Sequence, residues 1–381
     1  MLRMIALSLL IATPVLADVP PPPLPGAAQV VVVTFEAPSR VVTCTGGRDL
    51  KVVEATPLHP RLAPVGPIAD PIVVSTDHAP LRDSDTDGIE TLSFSVDADG
   101  RPLDIRRAPA SRGDIDAGAT LAALAGWRFE GGAPASGCRL SIVSHRVPIA
   151  EASRATLFEI IAFERRGAPA LVRETVSKAG DCGIAPRRQP KTIGYPDLRR
   201  FNDRDPDPAW AAVVYDIDAG GTPRNVRVEA QGGDPALADV AASAIAGSRF
   251  QPGRPVEACY GTFAATPRDT PAPPRPDIAS FERPGDKCDV TKEALNLPAF
   301  KNYPRPYAAR KVAGWAYLRF DVAPWGQIGN VQVVASEPSA AFGDAARGML
   351  WTAKPKAPPE GYRGCLVPVI YAIPDPEPII D

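Results

Sequence analysis

The chain has 381 residues, 45% of them hydrophobic and 23% charged, enough for two or three domains with real cores. Its 42 basic and 44 acidic residues leave a formal charge of −2, which excludes the positive field of a nucleic-acid or anionic-membrane binder. The 31 glycines and 45 prolines stay short of the roughly 25–30% that marks low-complexity disorder.

In chain order, the first segment is "MLRMIALSLLIATPVLA". One positive charge, an apolar run and small or apolar residues before Asp18 read as a cleavable signal peptide over residues 1–17. The run of about 14 residues is shorter than the roughly 20 that a membrane span needs, and Pro14 with "VPPPPLPG" would stop such a helix. The mature chain is therefore expected outside the cytoplasm, in the periplasm, without a stable membrane span. Pro20–Pro25 reads as a short stiff spacer.

Three similar stretches follow. Each opens with an apolar run ending in Phe-Glu, at Phe35-Glu36, Phe163-Glu164 and Phe281-Glu282. Each then carries two period-2 apolar runs around a glycine, the signal of a hairpin. In the first stretch the buried face is Leu92, Phe94, Val96 and Ile105, with Asp99-Gly100 as a turn pair. In the second it is Tyr215, Ile217, Val226 and Val228. The third sets Ala316, Leu318, Phe320 and Val322 against Trp315, Tyr317, Arg319 and Asp321, the pattern of a half-buried strand. A helix is predicted after each hairpin, with apolar stripes at Leu121, Leu124 and Ala125; at Leu237, Val240, Ala241, Ala244 and Ile245; and at Phe342, Ala346, Met349 and Leu350. Asp234-Pro235 starts the second helix with a capping carboxylate and an early proline. A last strand carries or follows a cysteine in "CRLSIVSH", "CYGTFAAT" and "CLVPVIYAI". The fold class is α+β: small antiparallel sheets, hairpin plus last strand, packed with helices. The boundaries fall at 28–150, 155–268 and 275–375, with "TPRDTPAPPRPD" (266–277) as an extended spacer.

The cysteines are Cys44, Cys138, Cys182, Cys259, Cys288 and Cys365, and an even count in an exported chain suggests disulfides. From the hairpin glycine to the later cysteine is 38 positions in the first two stretches and 39 in the third. The repeat therefore predicts Cys44–Cys138, Cys182–Cys259 and Cys288–Cys365. Zinc is disfavoured, because there is no C-x-x-C and the three histidines have no ligand spacing.

Residues 303–354 resemble the C-terminal domain of the TonB family. The resemblance rests on Tyr303-Pro304, Ala309-Arg310, Gly314, Val331, Val333, Ser336, Pro338, Phe342, Ala345, Ala346 and Trp351. It extends to the second stretch through Tyr195-Pro196, Val226, Val228 and Arg249-Phe250. The first stretch is degenerate, with His59 in place of the tyrosine. The resemblance implies three tandem TonB C-terminal-like modules in a transport-associated periplasmic protein. It further implies that an extended peptide of an outer-membrane TonB-dependent receptor, or of another envelope protein, is gripped by strand addition. Carried onto this sequence, the edge is the last strand, with Leu366, Val367, Val369, Tyr371 and Ile373. Pro368 suits an edge position; the other reading of the same residues is a sheet edge covered by a neighbouring unit. Energy-transducing members keep an N-terminal anchor helix with a serine and a histidine. Here Ser8 is present without a histidine, so a binding protein is expected, with a retained-anchor transducer or a non-transport scaffold as the alternatives.

Other sites rank below this one. Asp83, Asp85 and Asp87 with Gly88 form half of a calcium loop, but the twelfth position is Phe94 where a glutamate is needed. His59, His78 and His145 lack any nucleophile motif, so no catalytic residue and no cofactor is expected. The basic stretch 187–200 reads as a solvated face. Tyr195, Tyr303, Trp315, Trp325 and Tyr371 either line a groove or pack hairpin against helix, the latter favoured for the two tyrosines before proline.

Overall fold

A computed structural model describes residues 29–65, 88–108, 117–164, 170–183, 188–288, 302–356 and 359–373. The alternating runs form strands and the apolar stripes form helices, as elementary periodicity requires. The first repeat contains β1 (Gln29–Phe35), β2 (Val41–Cys44), β3 (Arg48–Glu54), β4 (Arg61–Val65), β5 (Gly88–Val96), β6 (Pro102–Arg107), α1 (Ala117–Ala125), β7 (Arg128–Phe129) and β8 (Ala135–Pro148). The second contains α2 (Arg154–Phe163), α3 (Ala170–Ser177), β9 (Pro190–Thr192), β10 (Trp210–Ile217), β11 (Pro223–Gly232), α4 (Ala236–Gly247), β12 (Arg249–Phe250) and β13 (Val256–Ala264). The third contains α5 (Arg305–Ala309), β14 (Gly314–Val322), β15 (Ile328–Glu337), α6 (Ala340–Leu350) and β16 (Tyr362–Tyr371). The fold is mixed α+β, built mostly of strands in several small antiparallel sheets.

One arrangement recurs three times. The first hairpin strand is central, flanked by its hairpin partner and by the last strand, giving β11-β10-β13 and β15-β14-β16; β5 likewise pairs with β6 and β8. The following helix covers one sheet face. Leu237, Ala241 and Ile245 of α4, and Phe342, Ala346, Met349 and Leu350 of α6, are buried there. Each of the leucine, isoleucine, phenylalanine and methionine side chains contributes about 1.5–3 kcal/mol by leaving water. Asp234 Oδ1 accepts from the Ala236 N–H at 2.9 Å, so the carboxylate caps the first turn of α4. The hairpin glycines Gly100 and Gly221 hold positive φ, and a side chain on either would collide with the carbonyl of Phe129 or Phe250.

Disulfides join Cys44 to Cys138, Cys182 to Cys259, and Cys288 to Cys365, each inside one repeat. The spans of 94, 77 and 77 residues remove roughly 4–5 kcal/mol of unfolded-chain entropy apiece in the loop-closure model.

Three expectations need correction. The Phe-Glu signature marks no common element: Phe35 ends a strand, Phe163 ends a helix, and Phe281 ends a 3-10 turn over Ile278–Phe281. Its local apolarity is shared, but the surface each segment packs against differs. Second, β14 is not half-buried. Trp315, Tyr317 and Arg319 on its second face are as buried as the core side. Third, the proline-rich stretch is extended but is no free spacer, because it lies across that second face. Trp315 Nε1 donates to Pro273 O at 3.0 Å, Tyr317 Oη to Pro276 O at 2.8 Å, and Arg319 Nη1 to Phe281 O at 3.3 Å. The equivalent face of β10, with Trp210, Ala212 and Val214, is covered by α2 and α3 in a second core that also takes Val32 of β1. That of β5 carries exposed Ile89 and half-buried Thr91, Ser93 and Ser95.

The first and third repeats share one apolar core. Their hairpin edges meet where Ile105 N–H donates to Pro338 O at 2.9 Å and Asp104 N–H donates to Glu337 Oε2 at 2.8 Å.

Candidate peptide-binding edge

Among the described residues β16 is the outermost strand of its sheet, and the antiparallel register pairs Cys365 with Phe320, Val367 with Leu318, Pro368 with Tyr317 and Val369 with Ala316. Proline has no N–H to give Tyr317, so the ladder bonds alternate through Cys365, Val367 and Val369. The main-chain groups of Leu366 and Pro368 therefore face away from β14. Ile370 comes next on that side and already has an interaction partner in the chain.

Two devices shape the entry to this edge. Lys287, beside the cysteine that bonds Cys365, exchanges both main-chain hydrogen bonds with Arg363, at 2.9 and 3.0 Å. After Arg363 the strand bulges at Gly364, which holds positive φ. Asp321 fixes that bulge: its Oδ1 accepts from the Gly364 N–H at 2.8 Å and its Oδ2 from Asn330 Nδ2 at 2.7 Å. The second repeat builds the same joint from Asp216, which accepts from Ala258 N–H at 2.9 Å and from Asn225 Nδ2 at 2.7 Å. There Asp181 Oδ1 takes the Glu257 N–H at 2.8 Å, in the place where Lys287 pairs with Arg363. Sequence reading missed these carboxylates, although the aspartate precedes the asparagine by nine residues in both repeats.

The five residues expected at the edge divide by direction. Val367, Val369 and Tyr371 are buried on the core side, so their side chains do not reach an added strand. Leu366 is partly exposed, and Ile373 lies half-buried beyond the strand's end. The usable surface is therefore main chain, opening beside a cleft of about 1110 Å³ that Asp286, Lys287, Arg363 and Leu366 help to line. The Asp286 carboxyl is held below its ordinary range, first by the Arg283 N–H and then by the Arg319 guanidinium.

In the first repeat the same edge is closed. β1 pairs along β8 from Val31–Pro148 to Phe35–Ser144, and Thr43 of β2 pairs with Arg139. The chain adds its own strand here, whereas among the described residues no strand pairs with Leu366–Pro368 in the third repeat.

The aromatic residues do not converge on one groove. Tyr303 packs 5.4 Å from Tyr371 and 6.1 Å from Phe342, and its hydroxyl donates to Val312 O; burial pushes its phenol up to about 12. Tyr195, in contrast, is 73% exposed and sits edge-on to Phe263, while Trp325 is 77% exposed at the hairpin tip.

His59 lies where the three repeats meet. Its Nδ1 is 2.9 Å from Glu159 Oε1, its ring is 4.1 Å from Phe163, and Nε2 is 4.0 Å from Asp207. Burial pushes the Asp207 carboxyl up, and burial lowers the nearby Arg310 guanidinium to about 10. Among the described residues no hydroxyl or thiol is bonded to His59, and His145 pairs with Glu36 at 3.0 Å. Among the described residues, no group of three His, Cys, Asp or Glu is placed to hold a metal ion, and no helix is long and apolar enough to cross a membrane. Asp83, Asp85, Asp87, His78 and the signal-peptide segment lie outside the described residues. No family model and no curated protein sequence matches this chain.

Proposed function

We propose that the chain is a periplasmic protein built of TonB C-terminal-like modules, the first of them degenerate. It binds an extended peptide of an outer-membrane receptor, or of another envelope protein, as an added strand on β16. The observation that carries this reading is the register of β16. Val367, Val369 and Tyr371 are sealed into the core, and the main-chain groups of Leu366 and Pro368 face outward with no strand paired to them among the described residues. Such an edge supplies affinity through peptide groups and needs no reactive side chain. The intra-repeat disulfides support a location in an oxidising compartment. The second repeat repeats the joint and offers the same kind of edge at Tyr260 and Thr262. The first repeat serves as scaffold, because β1 already fills its edge.

The test is capture from outer-membrane extracts with the wild-type chain and with Leu366→Pro. That substitution removes an outward N–H without touching the β14 ladder. Enrichment of plugged β-barrel receptors by the wild type, reduced about fivefold by the variant, is expected from the loss of one hydrogen bond of about 1 kcal/mol. Equal capture by both, or no receptor with either, overturns the reading.

A further inference from the structure

The strap over β14 is held in an unusual way. It forms no ladder with the strand beneath it; side chains of the strand donate to its carbonyls. Pro273 and Pro276, the two prolines whose carbonyls are used, stand three residues apart in Pro273-Pro274-Arg275-Pro276. Proline's fixed φ places such a segment in a polyproline II helix, which turns once in three residues and so presents every third carbonyl on one side. The Trp315 indole and the Tyr317 phenol, with rings 5.0 Å apart, read that repeat with one donor each. Pro273 is buried against the aromatic pair, while Pro274, Arg275, Pro276 and Asp277 keep their side chains in solvent. Aromatic rings beneath, donors to every third carbonyl, and a ligand whose outer half is free are the elements of proline-rich peptide recognition. The other two repeats lack this surface: the position of Tyr317 is Ala212 in one and Thr91 in the other.

We propose that the Trp315–Tyr317–Arg319 face is a polyproline-binding site, that residues 271–277 are its resident ligand, and that a proline-rich segment of another protein with P-x-x-P spacing takes their place. This site is on the opposite side of β14 from α6 and separate from the β16 edge, so it does not depend on strand addition. Tethering gives the strap an effective concentration in the millimolar range, so an incoming segment competes only when the strap is weakened or the partner is tethered nearby.

The test uses the full chain, a synthetic peptide copying residues 271–277, and the indole N–H resonance of Trp315, assigned by its loss in Trp315→Phe. In the double variant Pro273→Ala/Pro276→Ala the peptide should shift that resonance, half-saturating at a concentration at least tenfold below that needed with wild type. A peptide with alanine at both proline positions should shift it no more than buffer. An unmoved Trp315 resonance at several millimolar peptide overturns the proposal, as does an equal response to the alanine peptide. If the double variant does not fold, Pro276→Ala alone, at an exposed proline, carries the same measurement with the same two outcomes.

Discussion

Glu337 makes the seam between the first and third repeats dependent on pH. Its carboxylate accepts from the Asp104 N–H at 2.8 Å beside the Asp104 and Arg106 side chains. Burial is the main cause that moves it from the ordinary 4.5 to about 7. Because the folded value lies above the unfolded one, the neutral acid is favoured by folding. Its stabilisation is fully present below about pH 4.5 and is lost as pH rises through about 7. That distance corresponds to about 3 kcal/mol, and solvent on the partly exposed carboxyl reduces it to about 2 kcal/mol. Glu337→Gln keeps an acceptor for Asp104 and removes the charge. At pH 4.5 the two proteins should melt together; at pH 8 the variant should melt about 3 °C higher for a chain of this size. Scanning calorimetry across that range reads the difference directly. A constant gap between the two proteins at every pH, or a gap that widens toward acid, would refute the reasoning.

Asp321→Ala removes both bonds that hold the Gly364 bulge and should lower stability by about 2 kcal/mol, with Asp321→Asn losing less; chemical denaturation measures both. Phe342→Ala empties a site fully enclosed by Tyr303, Tyr307 and Tyr371 and should cost about 3–5 kcal/mol. Because the first and third repeats share one core, the unfolding transition reported by Trp127 should shift with it, and an unshifted Trp127 transition would mean the two cores are independent.

The period-2 runs made the hairpins legible, since alternation on β14 and β10 is a local property of the chain. The stripes on α4 and α6 were legible for the same reason. What covers the far face was not. Trp315 and Tyr317 alternate like a solvated face, and their burial depends on a segment some forty residues earlier in the chain. The closure of the first repeat was hidden in the same way, because the apolar run of β1 does not announce which strand it will join. At the candidate site the strand was legible from Cys365, Pro368 and the flanking alternation. Its direction was not: Val367, Val369 and Tyr371 belong to the core, and only the ladder parity set by Pro368 shows that the outward groups are those of Leu366. The Asp321–Asn330 joint left a signal, a spacing shared with Asp216 and Asn225, that becomes meaningful only when Asp321 is seen to hold the Gly364 bulge.

Backbone capture at the β16 edge is tested most directly by amide hydrogen exchange at Leu366, with and without a synthetic peptide from the N-terminus of a plugged β-barrel receptor. Slowing of the Leu366 N–H by tenfold or more, with the Val367 and Val369 amides already slow in the free protein, is the predicted result. A Leu366 amide that exchanges at the same rate while the peptide is bound, or a peptide that does not bind, would contradict it.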